Sequence, residues 1–209
     1  MPANAATVLY TDRGLFEADL INPTLIDFND QVKPPDLFTS YAPFPGGTVT
    51  LSGVTFTALD AADLFAVDPA YAPANYGLGD GTVLSWQQNV GGPNKLQIDL
   101  PAGTLAVGFN FGKNLGADSF EFTFMFSNTN VFKLNTQAGA SFAGFISDTP
   151  TNRLLIFAPE NAIPQIDRLV FASSVNSGSL PIPEPASVAL MVCGLGMIGV
   201  YRRRRHSKS

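Results

Sequence analysis

Hydrophobic and polar residues alternate in short runs along most of this chain. The segment TVTLSGVTFTAL (48–59) keeps strict alternation on both sides of Ser52-Gly53, which predicts a β-hairpin turning at that pair. Ser119-Phe120-Glu121-Phe122-Thr123-Phe124-Met125-Phe126 sets Phe120, Phe122, Phe124 and Phe126 at period two. That is one face of a half-buried strand, hence core rather than a binding platform. Thr7–Tyr10 and Thr24–Phe28 read as early strands, and residues 12–20 between them as two helical turns with Thr11 as N-cap. Further strands are expected over 62–67, 82–87, 94–100, 104–111, 118–126, 130–135, 140–147, 153–158 and 166–172. With turn residues at every ~8–12 positions and no internal repeat, the pattern predicts an all-β fold. The architecture expected over 6–172 is an antiparallel, jelly-roll-like β-sandwich with one short N-terminal helix.

The alternation stops near the C-terminus. Residues 173–182 form a Ser/Gly/Pro-rich stretch, expected as a flexible linker. From Ala186 to Tyr201 no residue is charged, and Leu, Met, Val and Ile dominate. A helix of this length spans about 24 Å, against a hydrocarbon core of roughly 30 Å. Ile182 and the long stems of Arg202 and Arg203 extend its reach at modest mismatch cost. The segment is apolar all round rather than striped, and it ends on four arginines. A single hydrophobic transmembrane helix over 186–201 with a basic stop over 202–205 is therefore expected, rather than a helix buried on the domain.

Charge orients that segment. Residues 1–183 hold 16 Asp/Glu and 7 Lys/Arg, net −9, whereas residues 184–209 hold one Glu and five Lys/Arg, net +4. Cationic flanks stay on the cytoplasmic side, which puts the acidic body outside. The lone Cys193 lies in the apolar segment and the lone His206 lies beyond it. The body thus has no side chain for a Ser-His-Asp or Cys-His mechanism, nor for a His- or Cys-ligated zinc site. A body at net −9 is also repelled by phosphate, which disfavours nucleic acid, and none is expected as a partner.

Pro183-Glu184-Pro185, then ASVALMVCGLGMIGVY, then Arg202, Arg203, Arg204 and Arg205 resemble the PEP-CTERM sorting signal of Gram-negative bacteria. The resemblance implies export, transient retention in the inner membrane, and processing near Pro-Glu-Pro by an exosortase-type enzyme. The same tail goes under the label "ice-binding protein C-terminal domain", which describes the tail and does not establish ice binding. Residues 1–5, with the small-x-small pattern Ala3-Asn4-Ala5, are expected to be the remnant of a signal peptide. The body resembles the lectin-like or carbohydrate-module-like sandwiches that precede such tails. That likeness rests on YTDRGLFEADL, TLIDF, GVTFTA, LAVGFNFG and IDRLVFAS, and no activity comes with it.

Candidate chemistry in the body is sparse. The loop 66–82 carries Asp68, Asn75 and Asp80 as oxygen donors and Tyr71 and Tyr76 as rings on which a sugar could stack. The loop lacks Asp-x-Asp-x-Asp spacing, so ordinary turn chemistry is the favoured reading and part of a structural calcium site the alternative. The Pro-rich loop 29–47 reads the same way. Asp27 and Asp167, in the first and last parts of the domain, could meet if the terminal strands are neighbours. A structural cation is one reading of that pair, and a solvated or Arg168-paired carboxylate is the favoured one. Trp86 reads as core, and Thr48, Thr50, Thr55 and Thr57 as an exposed strand face. No catalytic residue and no cofactor is assigned. The expected role is a non-catalytic, exported cell-surface or matrix protein, with exopolysaccharide as candidate ligand. The competing class is a glycoside hydrolase working with two carboxyl groups.

Overall fold

The computed structural model describes residues 6–176 and 178, except 34, 43–45, 61, 69, 72–77, 79–80, 89–91, 114–120, 127–129, 137–139 and 161. Its strands are β1 (Thr7–Tyr10), β2 (Thr24–Ile26), β3 (Phe38–Tyr41), β4 (Thr48–Leu51), β5 (Val54–Leu59), β6 (Ala62–Val67) and β7 (Val83–Gln88). They continue with β8 (Asn94–Asp99), β9 (Ala106–Lys113), β10 (Glu121–Phe126), β11 (Val131–Asn135), β12 (Ser141–Ser147), β13 (Arg153–Ala158) and β14 (Pro164–Ala172). Among the described residues one α-helix, α1 (Arg13–Ala18), follows β1, and a single 3-10 turn (Asn29–Gln31) follows β2.

Two antiparallel sheets form a sandwich. The larger runs β1-β12-β9-β14-β7-β6-β3, with β2 also on β14, and the smaller runs β11-β10-β13-β8-β5-β4. From β7 onward the chain crosses repeatedly between sheets: β7, β9, β12 and β14 lie in the larger, β8, β10, β11 and β13 in the smaller. That alternation is the jelly-roll habit.

Period-two alternation fills the space between the sheets. Phe122, Phe124 and Phe126 of β10 are buried, as the spacing predicts; Phe120 lies outside the described residues. They meet rings of the opposite sheet: Phe111 lies 5.2 Å from both Phe122 and Phe124, and Phe145 lies 4.8 Å from Phe126. Edge-to-face geometry at these separations adds to the burial term. Trp86 is fully buried in the same core.

The outer face of the larger sheet is covered in two places. Phe16 of α1 packs there with Leu20, Ala106, Ile146, Val170 and Ala172. Farther across, Phe65, Val67 and Val83 form a smaller cluster with Leu78.

Four expectations are corrected. The N-cap of α1 is Asp12, not Thr11: Asp12 has extended backbone and its Oδ1 accepts from Leu15 N at 2.9 Å. The strand expected to run to Phe28 stops at Ile26, because Phe28 takes a left-handed φ of 61°. β3 lies within the segment expected to be Pro-rich loop, and its alternating FTSY pairs with β6 at the sheet edge. Residues 174–176, expected as linker, are held to the body: Ser174 O accepts from Ile21 N at 3.0 Å, and Asn176 N donates to Asp19 O at 2.8 Å. Among the described residues no helix is long and apolar enough to cross a membrane; the hydrophobic helix expected over 186–201 lies outside them.

Candidate functional site

β14 changes neighbour partway along one edge. Gln165 and Ile166 pair with Ser85 and Leu84 of β7, whereas Leu169, Val170 and Phe171 pair with Ile26, Leu25 and Thr24 of β2. The other edge stays on β9, with a register shift between Asp167 and Val170. Arg168 occupies this bulge at a left-handed φ of 51°. Where β2 has ended and β7 has not begun, the sheet opens into a pocket of about 320 Å³ lined by Asp27, Asn29, Gly81, Asn110, Asp167 and Arg168.

The chain places each of these side chains for a local reason. Asn110 and Asp167 are opposite one another in the β9–β14 register; Asn110 alternates outward between the core residues Phe109 and Phe111, and Asp167 follows the core residue Ile166 at the start of the bulge. Asp27 follows β2, and its Oδ1 accepts from Asn29 N at 3.2 Å across the left-handed Phe28. Asn29 Oδ1 accepts from Thr82 N at 3.0 Å, tying the exit of β2 to the entry of β7. Gly81 makes room for this: a Cβ there would stand 2.6 Å from Asn29 Oδ1. Arg13 closes one rim, donating from Nε to Asn110 Oδ1 (3.2 Å), from Nη1 to Glu17 Oε1 (2.6 Å) and from Nη2 to Arg168 O (2.7 Å).

Asp167 is 3% exposed, and its Oδ1 has no hydrogen-bond partner. Burial pushes its carboxyl up to about 6; the Arg168 backbone N–H and the charges of Arg168 and Arg13 pull down, and the charge of Asp27 adds to the rise. The favoured sequence reading does not hold for this residue. Asp167 is neither solvated nor, among the described residues, ion-paired with Arg168. Asp27, by contrast, is exposed.

A second feature lies at the β3 edge. Phe38 stacks 5.2 Å from Phe65 and 5.5 Å from Tyr71, both at about 30–35° tilts. Tyr71 is 54% exposed and Phe38 37%, so the pair presents an aromatic ledge to solvent.

The remaining sequence candidates separate cleanly. Asp68 Oδ1 accepts from Ala70 N at 2.8 Å, a turn-closing bond. Asn75, Tyr76 and Asp80 lie outside the described residues. Thr48 bonds Thr57 at 3.3 Å and Thr50 bonds Thr55 at 2.9 Å, hydroxyl to hydroxyl across the hairpin. Sequence reasoning missed Asn29, Asn110 and Phe38. Asn110 carried a signal, being a carboxamide at an outward position inside the apolar run LAVGFNFG. Among the described residues no group of three or more His, Cys, Asp or Glu gathers; the β14 pocket instead joins two carboxylates to two carboxamides.

The chain carries a PEP-CTERM protein-sorting motif, matched over residues 181–205. The match spans Pro183, Glu184, Pro185, Arg202, Arg203, Arg204 and Arg205, all outside the described residues. No curated protein matches the chain. Among solved structures it is similar to a family 11 carbohydrate-binding module from Clostridium thermocellum in complex with a β-1,3-1,4-mixed-linked tetrasaccharide. Identity is 9%, with 63% of this chain and 97% of that one covered at a TM-score of 0.35. It is also similar to the family 11 carbohydrate-binding module of the cellulosomal cellulase Lic26A-Cel5E of Clostridium thermocellum. There identity is 11%, with 78% and 98% covered at a TM-score of 0.33.

Proposed function

We propose that this chain is an exported, non-catalytic binding module that its C-terminal motif delivers to the cell surface, where the sandwich holds polysaccharide. The observation that carries the reading is the sorting motif at 181–205 directly behind a sandwich domain. In this reading the apolar span 186–201 sits transiently in the inner membrane with Arg202–Arg205 on the cytoplasmic side. An exosortase-type enzyme then processes the chain near Pro183-Glu184-Pro185.

The ledge of Phe38 and Tyr71 supports the ligand class. Two adjoining exposed rings offer the flat apolar surface on which a pyranose face stacks. A glycoside hydrolase is the second reading, favoured by Asp27 and Asp167 sharing one pocket in which burial raises the carboxyl of Asp167. The depth of Asp167 tells against it, since a carboxyl 3% exposed can meet a small ion in the pocket but not the glycosidic oxygen of a bulky sugar chain.

Fractionation of cells that express the full chain behind an export signal, with an exosortase present, tests delivery. Surface or released protein with a shortened C-terminus is expected, and an intact tail on cytosolic protein would sink the proposal. Affinity electrophoresis in polysaccharide gels tests the ligand: retardation is expected to weaken about tenfold in Tyr71→Ala. Sugar release that disappears in Asp167→Asn would establish the enzyme instead.

A further inference from the structure

We infer that the pocket at the β14 bulge is a calcium site whose ligands come from Asp27, Asn29, Asn110 and Asp167. The inference goes beyond delivery and polysaccharide binding and stands without either.

The donor set is all oxygen, which suits a hard cation and neither zinc nor copper. Asp167 is the strongest indication. A buried carboxylate oxygen without a donor is among the costliest arrangements a fold can keep, and natural structures rarely leave one unexplained. The neighbouring cations do not supply the missing partner. Arg13 has committed its guanidinium to Asn110, Glu17 and the Arg168 carbonyl, and Arg168 makes no ion pair with Asp167 among the described residues. A cation at the free Oδ1 resolves the arrangement.

The other ligands have capacity left. Asn29 Oδ1 accepts one bond from Thr82 N, and Asn110 Oδ1 one from Arg13, leaving each a lone pair. Asp27 uses Oδ1 for Asn29 N and keeps Oδ2. Asp27 and Asn29 are exposed, so water can complete the shell of about six to eight oxygens that calcium takes. Ligands borrowed from a bulge, a left-handed turn and a strand entry form an irregular cage, unlike the near-ideal octahedron magnesium demands. Bound there, the ion would join three backbone segments at the point where β14 exchanges β7 for β2. Its role is therefore structural, and with two carboxylates its affinity belongs with extracellular modules, at about 0.1–1 mM.

Full-length protein in mild detergent, stripped with EDTA and dialysed, is unfolded thermally in about 5 mM CaCl2, in equal MgCl2, and in NaCl of matched ionic strength. Calcium is expected to raise the midpoint by about 3–8 °C and magnesium by less than half as much. Calorimetric titration with CaCl2 is expected to detect binding in the wild type. Asp27→Asn, an exposed substitution the fold tolerates, should weaken calcium about tenfold, Asp167→Asn should abolish the shift, and Asp68→Asn, in a turn elsewhere, should leave it unchanged. No calcium-dependent rise, an equal rise in MgCl2 or NaCl, or a rise unaltered in both Asp27→Asn and Asp167→Asn would each overturn the inference.

Discussion

Phe16 rests on the bare backbone of Gly144: a Cβ at that position would stand 2.6 Å from Phe16 Cδ2. At Gly108 on the adjacent strand a Cβ would stand 2.6 Å from Phe16 Cε1. Two strands thus leave a side-chain-free hollow on the outer face of the larger sheet, and Phe16, the one buried residue of α1, fills it together with the edge of the Phe142 ring. A six-residue helix is too short to hold itself, so this fit is what docks it.

Gly144→Ala and Gly108→Ala should therefore each destabilise the protein by about 1–3 kcal/mol in urea titration. Combining Gly144→Ala with Phe16→Leu should recover part of the loss, because the smaller side chain relieves the Phe16 share of the clash while Phe142 keeps its own. Additive losses in the double variant would show that the two sites do not touch.

Asn94 is fully buried, and its Nδ2 donates to the carbonyls of Pro159 (2.9 Å), Ala162 (3.1 Å) and Glu160 (3.4 Å), anchoring the β13–β14 turn. Asn94→Asp replaces a donor by an acceptor amid those oxygens. It should cost at least about 3 kcal/mol, more than Asn94→Ala at about 1–3 kcal/mol. Equal losses, measured by urea titration, would mean that cavity formation rather than lost donation sets the cost.

Tyr41 gives the alkaline behaviour a sign. Burial pushes its phenol from 10.0 up to about 12, while the hydroxyl donates to Gln31 Oε1 at 3.0 Å. The folded state keeps a proton that the unfolded chain releases near 10.0, so stability declines as pH rises from 10.0 to about 12 and is untouched by this group below that window. Tyr41→Phe should lower stability at neutral pH through the lost hydrogen bond, yet decline less steeply above pH 10.0. Parallel slopes in thermal scans at several alkaline pH values would remove Tyr41 as the cause.

Truncation should behave as a step. A chain ending at Gly178 keeps Val175 packed beside Phe16 and Leu20, together with the bonds of Ser174 and Asn176, and should unfold at the full-length midpoint. Ending at Ala172 removes these contacts, including Asn176 Nδ2 to Ala18 O at 3.0 Å, and should lower the midpoint by several degrees at about 1 kcal/mol per bond. An equal midpoint in both would return residues 174–176 to the linker.

What the sequence determined by itself was whatever depends on near neighbours. Period-two alternation placed β4, β5, β6 and β13 and assigned Phe122, Phe124 and Phe126 to the core, because side-chain direction in a strand repeats every second residue. The sorting motif was legible for the same reason, as a contiguous order of Pro-Glu-Pro, apolar span and arginines. Tertiary structure alone decided what lies far apart along the chain. Nothing in FTSY distinguishes an edge strand from a loop until β6 offers its hydrogen bonds. Asp27 and Asp167 were visible as residues, but their shared pocket exists only because β14 exchanges β7 for β2 at a bulge. Burial of Asp167 and the hollow beneath Phe16 follow from strand order, and alternation carries no information about which strands become neighbours.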